Sequence, residues 1–393
     1  MQRALYGVVA ILFLNFIGFG IVIPVIPEMI RGASNLEIHY FLLLSLYSLM
    51  SFIMAPYWGG LSDRIGRKPV ILIGLLGFAL SFVLFGISAN NLLLMYISRI
   101  LGGFFSGAAT ACALAAVTDL TAPESRTKAM GLAGMSIGMG FVIGPAVGAS
   151  LSLLGHSIPF FTSAILAILN TLYVMKFVPE TNTSKEIETT NIKKTSKWSA
   201  LFGPAKYLFM LSFLVTYTLS SIESTLYYFS LVRFQITPFS FGMMLLAVGL
   251  VGALVQGGIV RRVVKPGKEI LTAQIGLILC TIGFIALLYS TEYWNATVYL
   301  CIFGAGNALI RPCVLSLITQ KSGISTGIAT GLSSSMDSLG RILGPLISGA
   351  LFHWYVNGPY LLGGILCLVS LLALYRFVRN EQKIKLHTVE SGN

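Results

Sequence analysis

The sequence is poor in charge. Only 10% of its 393 residues are Asp, Glu, Lys or Arg, against about 25% in soluble domains. A soluble fold of this size would have too few charges to cover its surface, so the chain reads as an integral membrane protein. Acids are scarcest, 14 against 26 bases, for a formal charge of +12. There are four histidines, His39, His156, His353 and His387, at span ends or in loops and without metal-ligand spacing. The five cysteines, Cys112, Cys280, Cys301, Cys313 and Cys367, all fall in apolar runs, and none has zinc or CxxC spacing. They read as free thiols packed among helices. No P-loop occurs, which argues against ATP as the direct energy source. Nothing suggests a Ser/His/Asp or Cys/His constellation, so neither an enzyme nor a metal or other cofactor is expected. The first apolar run, Leu5 to Ile26, lacks a small-residue cleavage site and reads as a retained helix.

Apolar sequence is what the chain has in quantity: 55% hydrophobic residues and a mean hydropathy of +0.84. A hydrocarbon core of about 30 Å needs roughly 20 apolar residues in a helix. Twelve segments qualify, approximately 5–26, 39–60, 69–88, 91–118, 127–153, 157–178, 204–232, 239–260, 269–290, 294–319, 325–351 and 358–377. A membrane β-barrel would instead show short alternating stretches. The expected fold is therefore all-α, with twelve transmembrane helices. With both termini on one side, 21 of the 26 bases fall on that side. These include Arg64, Arg67, Lys68, Arg261, Arg262, Lys265, Lys268 and the Lys193/Lys194/Lys197 group. Arg31 and Arg233 lie opposite, and Arg99, Arg311 and Arg341 lie inside spans. This bias puts both termini in the cytoplasm and explains the positive charge without a nucleic-acid partner.

The stretch from Pro179 to Gly203 is rich in Thr, Lys and Glu, too polar to span, and expected to be partly disordered. It divides the chain into an N-terminal six-helix bundle (1–178), a cytoplasmic linker (179–203), a C-terminal six-helix bundle (204–378) and a cytoplasmic tail (379–393). The division is echoed in a repeat. Gly131, Gly140, Gly144, Pro145 and Gly148 recur 200 residues later as Gly331, Gly340, Gly344, Pro345 and Gly349, with only the last glycine displaced by one. Two related halves in a membrane point to a transporter.

Between the second and third spans runs Gly59-Gly60-Leu61-Ser62-Asp63-Arg64-Ile65-Gly66-Arg67-Lys68. The glycines permit a tight turn, and the acid can cap a helix end or pair across the cytoplasmic face. This run resembles, position by position, the loop signature of the major facilitator superfamily. The resemblance covers roughly 5–378 and implies two pseudo-symmetric six-helix bundles around a central cavity that opens to either side in turn. It also implies a cytoplasmic latch at Gly59, Asp63, Arg64, Gly66 and Arg67, with Asp119 as partner of Arg67; a solvated positive loop would look similar. The second-half counterpart, Gly257-Gly258-Ile259-Val260-Arg261-Arg262, lacks the acid, so any latch there should be weaker.

The doubled glycine pattern resembles the fifth-span motif of the family's antiporter branch, with Ala149 where a second glycine is usual. Small residues let helices approach, and a Gly-Pro pair bends them. Gly131, Gly140, Gly144, Pro145, Gly340, Gly344 and Pro345 therefore read either as packing residues or as a bend where the halves meet. Arg99, followed by Gly103 and Gly107, resembles the family's fourth-span motif, whose arginine helps proton exchange. A buried arginine costs at least about 2.5 kcal/mol, so it should face protein or water.

Glu223 is the most suggestive acid, with Ser220 and Tyr227 on its face. Burial in an apolar cavity disfavours a carboxylate's charge and suits proton exchange near neutral pH. An acid in this span resembles that of the quinolone and multidrug efflux pumps. Asp337 and Arg341, four apart, can pair within one helix, either statically or as a protonation switch. Arg311, before Pro312, can pair with Glu223 or hold an anionic substrate. Asn15 stands where many drug and tetracycline antiporters carry an acid. It cannot titrate, which moves the proton site toward Glu223 and Asp337, with Arg341 and Arg99 assisting. Asn15, Tyr47, Tyr217, Tyr227, Asn307 and Arg311 are the candidate substrate contacts, and the aromatic rings suit amphipathic or cationic compounds.

The reading is a monomeric, multi-pass transporter of a bacterial cytoplasmic (inner) membrane, exporting a small organic compound in exchange for protons. The alternatives are a dedicated exporter or importer of an anionic metabolite or siderophore, and a polytopic enzyme or sensor that does not transport.

Overall fold

The computed structural model describes residues 2–30, 35–88, 91–121, 126–181, 205–260, 268–321 and 326–390. Among them are thirteen α-helices and no strand. They are α1 (Gln2–Val22), α2 (Ile26–Met29), α3 (Leu36–Ile65), α4 (Arg67–Gly86), α5 (Leu92–Asp119), α6 (Arg126–Ser152), α7 (Ile158–Phe177), α8 (Lys206–Phe234), α9 (Pro238–Leu254), α10 (Glu269–Leu288), α11 (Tyr293–Lys321), α12 (Thr326–Trp354) and α13 (Gly358–Glu390). Arg31, Lys193, Lys194, Lys197, Arg261, Arg262, Lys265 and most of the expected linker lie outside the described residues.

Proline accounts for one departure from the expected spans. The first was expected to run to residue 26, but α1 stops at Val22. Pro24 has no N–H to continue the helix and disfavours helical geometry at Ile23. Pro27 then starts the short α2, in whose first turn it is tolerated. The prolines at 56, 145, 312 and 345 lie inside α3, α6, α11 and α12. α9 passes at Val255–Val260 into a π-helical turn, so Gly257 and Gly258 continue a helix instead of making a tight loop.

Ten of the helices are long and apolar enough to cross a membrane, and the protein is a multi-pass membrane protein. α8 and α12 are as long, 29 residues each, but are not among the ten. They carry Glu223, Asp337 and Arg341 together with runs of Ser and Thr, and these lower their hydropathy.

The chain forms two compact units, Met1–Glu188 with Gln235–Leu250, and Thr189–Phe234 with Val251–Asn393. In the first, α1, α4, α5, α6 and α7 share a core of Val8, Ile11, Leu12, Val70, Ile71, Leu75, Cys112, Ala113, Ala133 and Val174. Alanines at 108, 109, 113 and 116 keep α5 thin enough to sit centrally. Trp58 Nε1 donates to the Phe104 carbonyl at 2.7 Å, fixing α3 on α5. In the second unit Arg233 closes one end. Its guanidinium donates to the carbonyls of Leu288 (3.1 Å) and Ser290 (2.8 Å) and to Asn357 Oδ1 (2.8 Å).

Candidate functional site

The signature loop is shorter than its sequence suggests. Gly59 and Gly60 lie inside α3, and a Cβ on either would meet nothing within 4 Å. Only Gly66 makes the turn, at φ +105°, between the last residue of α3 and the first of α4. Its second reason for being glycine was not visible in the sequence. The space a Cβ would fill is held by the Glu180 carboxylate. That carboxylate accepts from the backbone N–H of Arg67 (2.8 Å) and Lys68 (3.1 Å), capping the positive end of α4. The start of the expected linker is therefore ordered and pinned at Glu180. Arg67 binds Asp63 Oδ1 at 2.6 Å, Asp119 Oδ2 at 3.0 Å and Ser62 Oγ at 2.6 Å, while Arg64 is exposed. All these residues belong to the first unit.

The first copy of the glycine pattern packs α6 on α1. A Cβ on Gly140 would lie 2.8 Å from Phe16 Cβ, one on Gly144 2.7 Å from Gly20 Cα, and one on Gly148 against the Ile21 carbonyl. The opposite side of α6 meets α9, where Gly242 sits on Pro145 and Ala149. The second copy packs α12 on α8. Gly340 lies against the backbone at Tyr217, and Gly344 against Ser220. Each stripe thus makes a close helix contact within its own unit. Gly131 has described backbone only.

Arg99 is 3% exposed and sits over the Phe85 ring at 4.6 Å, with Tyr47 and Phe82 within 6 Å. Its Nε and Nη2 have no hydrogen-bond partner among the described residues. Tyr47 donates to Ser106 Oγ at 2.7 Å and packs on Phe19. Phe141, the counterpart of Arg341 in the repeat, packs on Phe16 and Phe19. Asn15 donates weakly to Thr110 Oγ1 at 3.4 Å, and its buried Oδ1 has no partner among the described residues.

The second unit gathers four charges near the middle of the helices α8, α11 and α12, and the pairing differs from the sequence expectation. Asp337 does not pair with Arg341 along α12. Its Oδ2 instead faces Arg311 Nη2 on α11 at 3.2 Å. Its Oδ1 accepts from Ser212 Oγ (2.8 Å) and Thr216 Oγ1 (2.9 Å) on α8, and Ser333 lies beyond Ser212 at 3.1 Å. Arg341 faces Glu223 on α8 at 3.9 Å. Helical spacing gave each residue a possible neighbour on its own helix, but the hydroxyls and arginine of adjacent helices approach closer. Ser212 and Thr216 were missed by sequence reasoning; their signal was two hydroxyls one turn apart in an apolar run. Tyr217 and Tyr227, expected to meet substrate, are 3% and 2% exposed and buried in their own unit. Asn307 lies one turn before Arg311, and its buried Nδ2 has no partner among the described residues.

Glu223, Arg311, Asp337 and Arg341 keep 35%, 49%, 22% and 28% of their side chains exposed. A charge is costly to leave in hydrocarbon, so these partly exposed side chains call for water or a polar partner.

The family model for the Major Facilitator Superfamily matches residues 8–332. The quinolone resistance protein NorA of Staphylococcus aureus (strain COL) is 25% identical over 365 residues, 91% of this chain and 92% of that protein. Multidrug resistance protein 1 of Bacillus subtilis (strain 168) is 30% identical over 353 residues, 89% of this chain and 90% of its own. Among solved structures, the human organic anion transporter MFSD10 (TETRAN) superposes with a TM-score of 0.75 at 24% identity, covering 95% of this chain and 99% of that one. A mutant of the nucleoside transporter NupG gives 0.72 at 15% identity, covering 95% and 99%. Both of these solved structures are of transporters, and by the family match and the Bacillus relative this chain belongs to the major facilitator superfamily.

Proposed function

We propose that the protein is a proton-coupled exporter of amphipathic organic compounds. In this reading it has twelve spans, with α8 and α12 crossing the membrane beside the ten apolar helices. It works by alternating access of two six-helix bundles, and both termini are cytoplasmic. The relatives named for quinolone and multidrug resistance support this reading.

The observation that carries it is the unequal hold on the two acids of the second unit. Asp337 accepts three contacts at 3.2 Å or less. Glu223 has one loose ion pair at 3.9 Å and more than a third of its side chain exposed. A carboxyl that gives up only a loose partner when protonated, and that water can reach, is the better proton carrier. Glu223 then takes a proton from the outer side, releases Arg341, and returns the proton inside as substrate is admitted. Arg99 assists in the other half, and Asp63, Arg67 and Asp119 hold the cytoplasmic side.

The test is uptake into proteoliposomes under an imposed pH gradient. Glu223→Gln should lose gradient-driven accumulation while retaining downhill exchange of substrate. If the parent ignores the gradient, or Glu223→Gln still follows it, proton coupling through this residue is wrong.

A further inference from the structure

Arg311 is the most exposed of these four charges, at 49%, and it makes one hydrogen bond among the described residues, Nη2 to Asp337 Oδ2 at 3.2 Å, while its charge also reaches Glu223. A guanidinium has five N–H donors and is built to grip a carboxylate with two of them. Here it uses one. On the same helix face, one turn away, the buried Nδ2 of Asn307 has no acceptor among the described residues. Arg311 itself is exposed enough to take a further acceptor.

Asp337 is arranged for the complementary part. Ser212 and Thr216 both donate to its Oδ1, at 2.8 and 2.9 Å. Its charge therefore remains hydrogen-bonded if Arg311 moves away. A carboxylate whose only partner was Arg311 would be stranded by that movement, at the cost of an unpaired buried charge. Two hydroxyls on a neighbouring helix make the separation tolerable.

We propose that Asp337 is the resting counter-ion of Arg311, and that a carboxylate on the transported compound takes its place on the guanidinium, with Asn307 as a further donor. The ligand class is an aromatic or otherwise apolar body bearing one carboxylate. This inference rests on the reading of that face as substrate-facing, and it makes Asp337 a positioning residue that sets how available Arg311 is.

The experiment measures equilibrium binding of 2-naphthoate and of its uncharged amide, 2-naphthamide, to the full-length protein in lipid nanodiscs, with no gradient. Asp337→Asn should tighten naphthoate by about fivefold, the size of a partly exposed ion pair, and leave the amide unchanged. Thr216→Val should act in the opposite direction. With one hydroxyl gone, Asp337 depends more on Arg311 and releases it less readily, so naphthoate binding weakens by a few-fold. Arg311→Gln should remove the preference for the carboxylate in both backgrounds. A purely structural role for Asp337 would weaken both ligands in both variants, and that result overturns the proposal. So does a parent protein that binds the two ligands equally and stays indifferent in Asp337→Asn. Should Asp337→Asn fail to fold, the sign of the Thr216→Val effect on the carboxylate alone decides. Binding needs no transport, so a protein that shows these shifts but ignores a pH gradient refutes only proton coupling.

Discussion

Substituting Ala for Gly along α6 should have effects of opposite sign on its two sides. A Cβ on Gly144 would lie 2.7 Å from both Gly20 Cα and the Ile17 carbonyl, and the shortest ordinary contact is 3.4 Å. The shortfall is 3.4 − 2.7 = 0.7 Å against backbone, which cannot swing aside. α1 and α6 must part, and overpacking of this kind costs about 1–3 kcal/mol. Gly138 lies on the same helix with nothing within 4 Å of its Cβ position. There the substitution only relieves the helical penalty of glycine, a gain of up to about 1 kcal/mol. Both substitutions gain that propensity, so their difference isolates the contact and should be about 1–3 kcal/mol. Gly344→Ala in the second unit should behave like Gly144→Ala, because its Cβ would lie 2.8 Å from Ser220 Cβ and 3.2 Å from the Tyr217 carbonyl. The assay is thermal unfolding of the purified protein in detergent, read by labelling of thiols such as the buried Cys112. Equal changes in stability at Gly138 and Gly144 would refute the argument.

Two further outcomes follow from the first unit. Glu180→Ala removes the acceptor for two backbone N–H groups of α4 and should cost about 1–2 kcal/mol, with Glu180→Gln losing less; no change in unfolding temperature for either would mean the cap is idle. Arg99→Met replaces a buried guanidinium, two of whose nitrogens are unsatisfied, by an apolar chain of similar length, so it should raise the unfolding temperature while lowering transport in proteoliposomes. A fall in both would assign Arg99 to structure alone.

The sequence carried the pattern of one helix better than the choice of its neighbour. The glycine stripes at 140–148 and 340–344 were legible as close-packing faces because spacing along a helix dictates which residues line up. That they face α1 and α8 in their own units was not, since any helix with a flat side would satisfy them. The same limit applies to Asp337. Its spacing to Arg341 is right for a pair within α12, yet Arg311, 26 residues away, and two hydroxyls on α8 satisfy it instead. Gly66 shows the limit at a single position. A turn glycine was expected there, but its contact with Glu180 spans more than a hundred residues and left no local signal. The first span ended early for a reason that was local: Pro24 was in plain view, and apolar composition outweighed it in setting the boundary.

The repeat also bears on where ionisable chemistry can be kept. The positions of Asp337 and Arg341 correspond in the first unit to Ile137 and Phe141. Ile137 packs against the core, and Phe141 packs tilted against Phe16 and edge-on to Phe19. One frame therefore holds apolar residues in one unit and a pair of charges in the other. A charge inside a membrane span costs at least about 2.5 kcal/mol unless it is paired or hydrated. The second unit meets that cost with two cross-helix ion pairs and hydroxyls, and in doing so makes α8 and α12 too polar to register among the apolar spans. Stability alone does not require such helices, because Ile137 and Phe141 fill the same frame without charge. On the proposed function, the charges at Glu223, Arg311, Asp337 and Arg341 are kept for the compound that is carried. A variant of α12 carrying Ile and Phe at 337 and 341, with α8 and α11 made apolar to match, should be at least as stable as the parent and unable to transport.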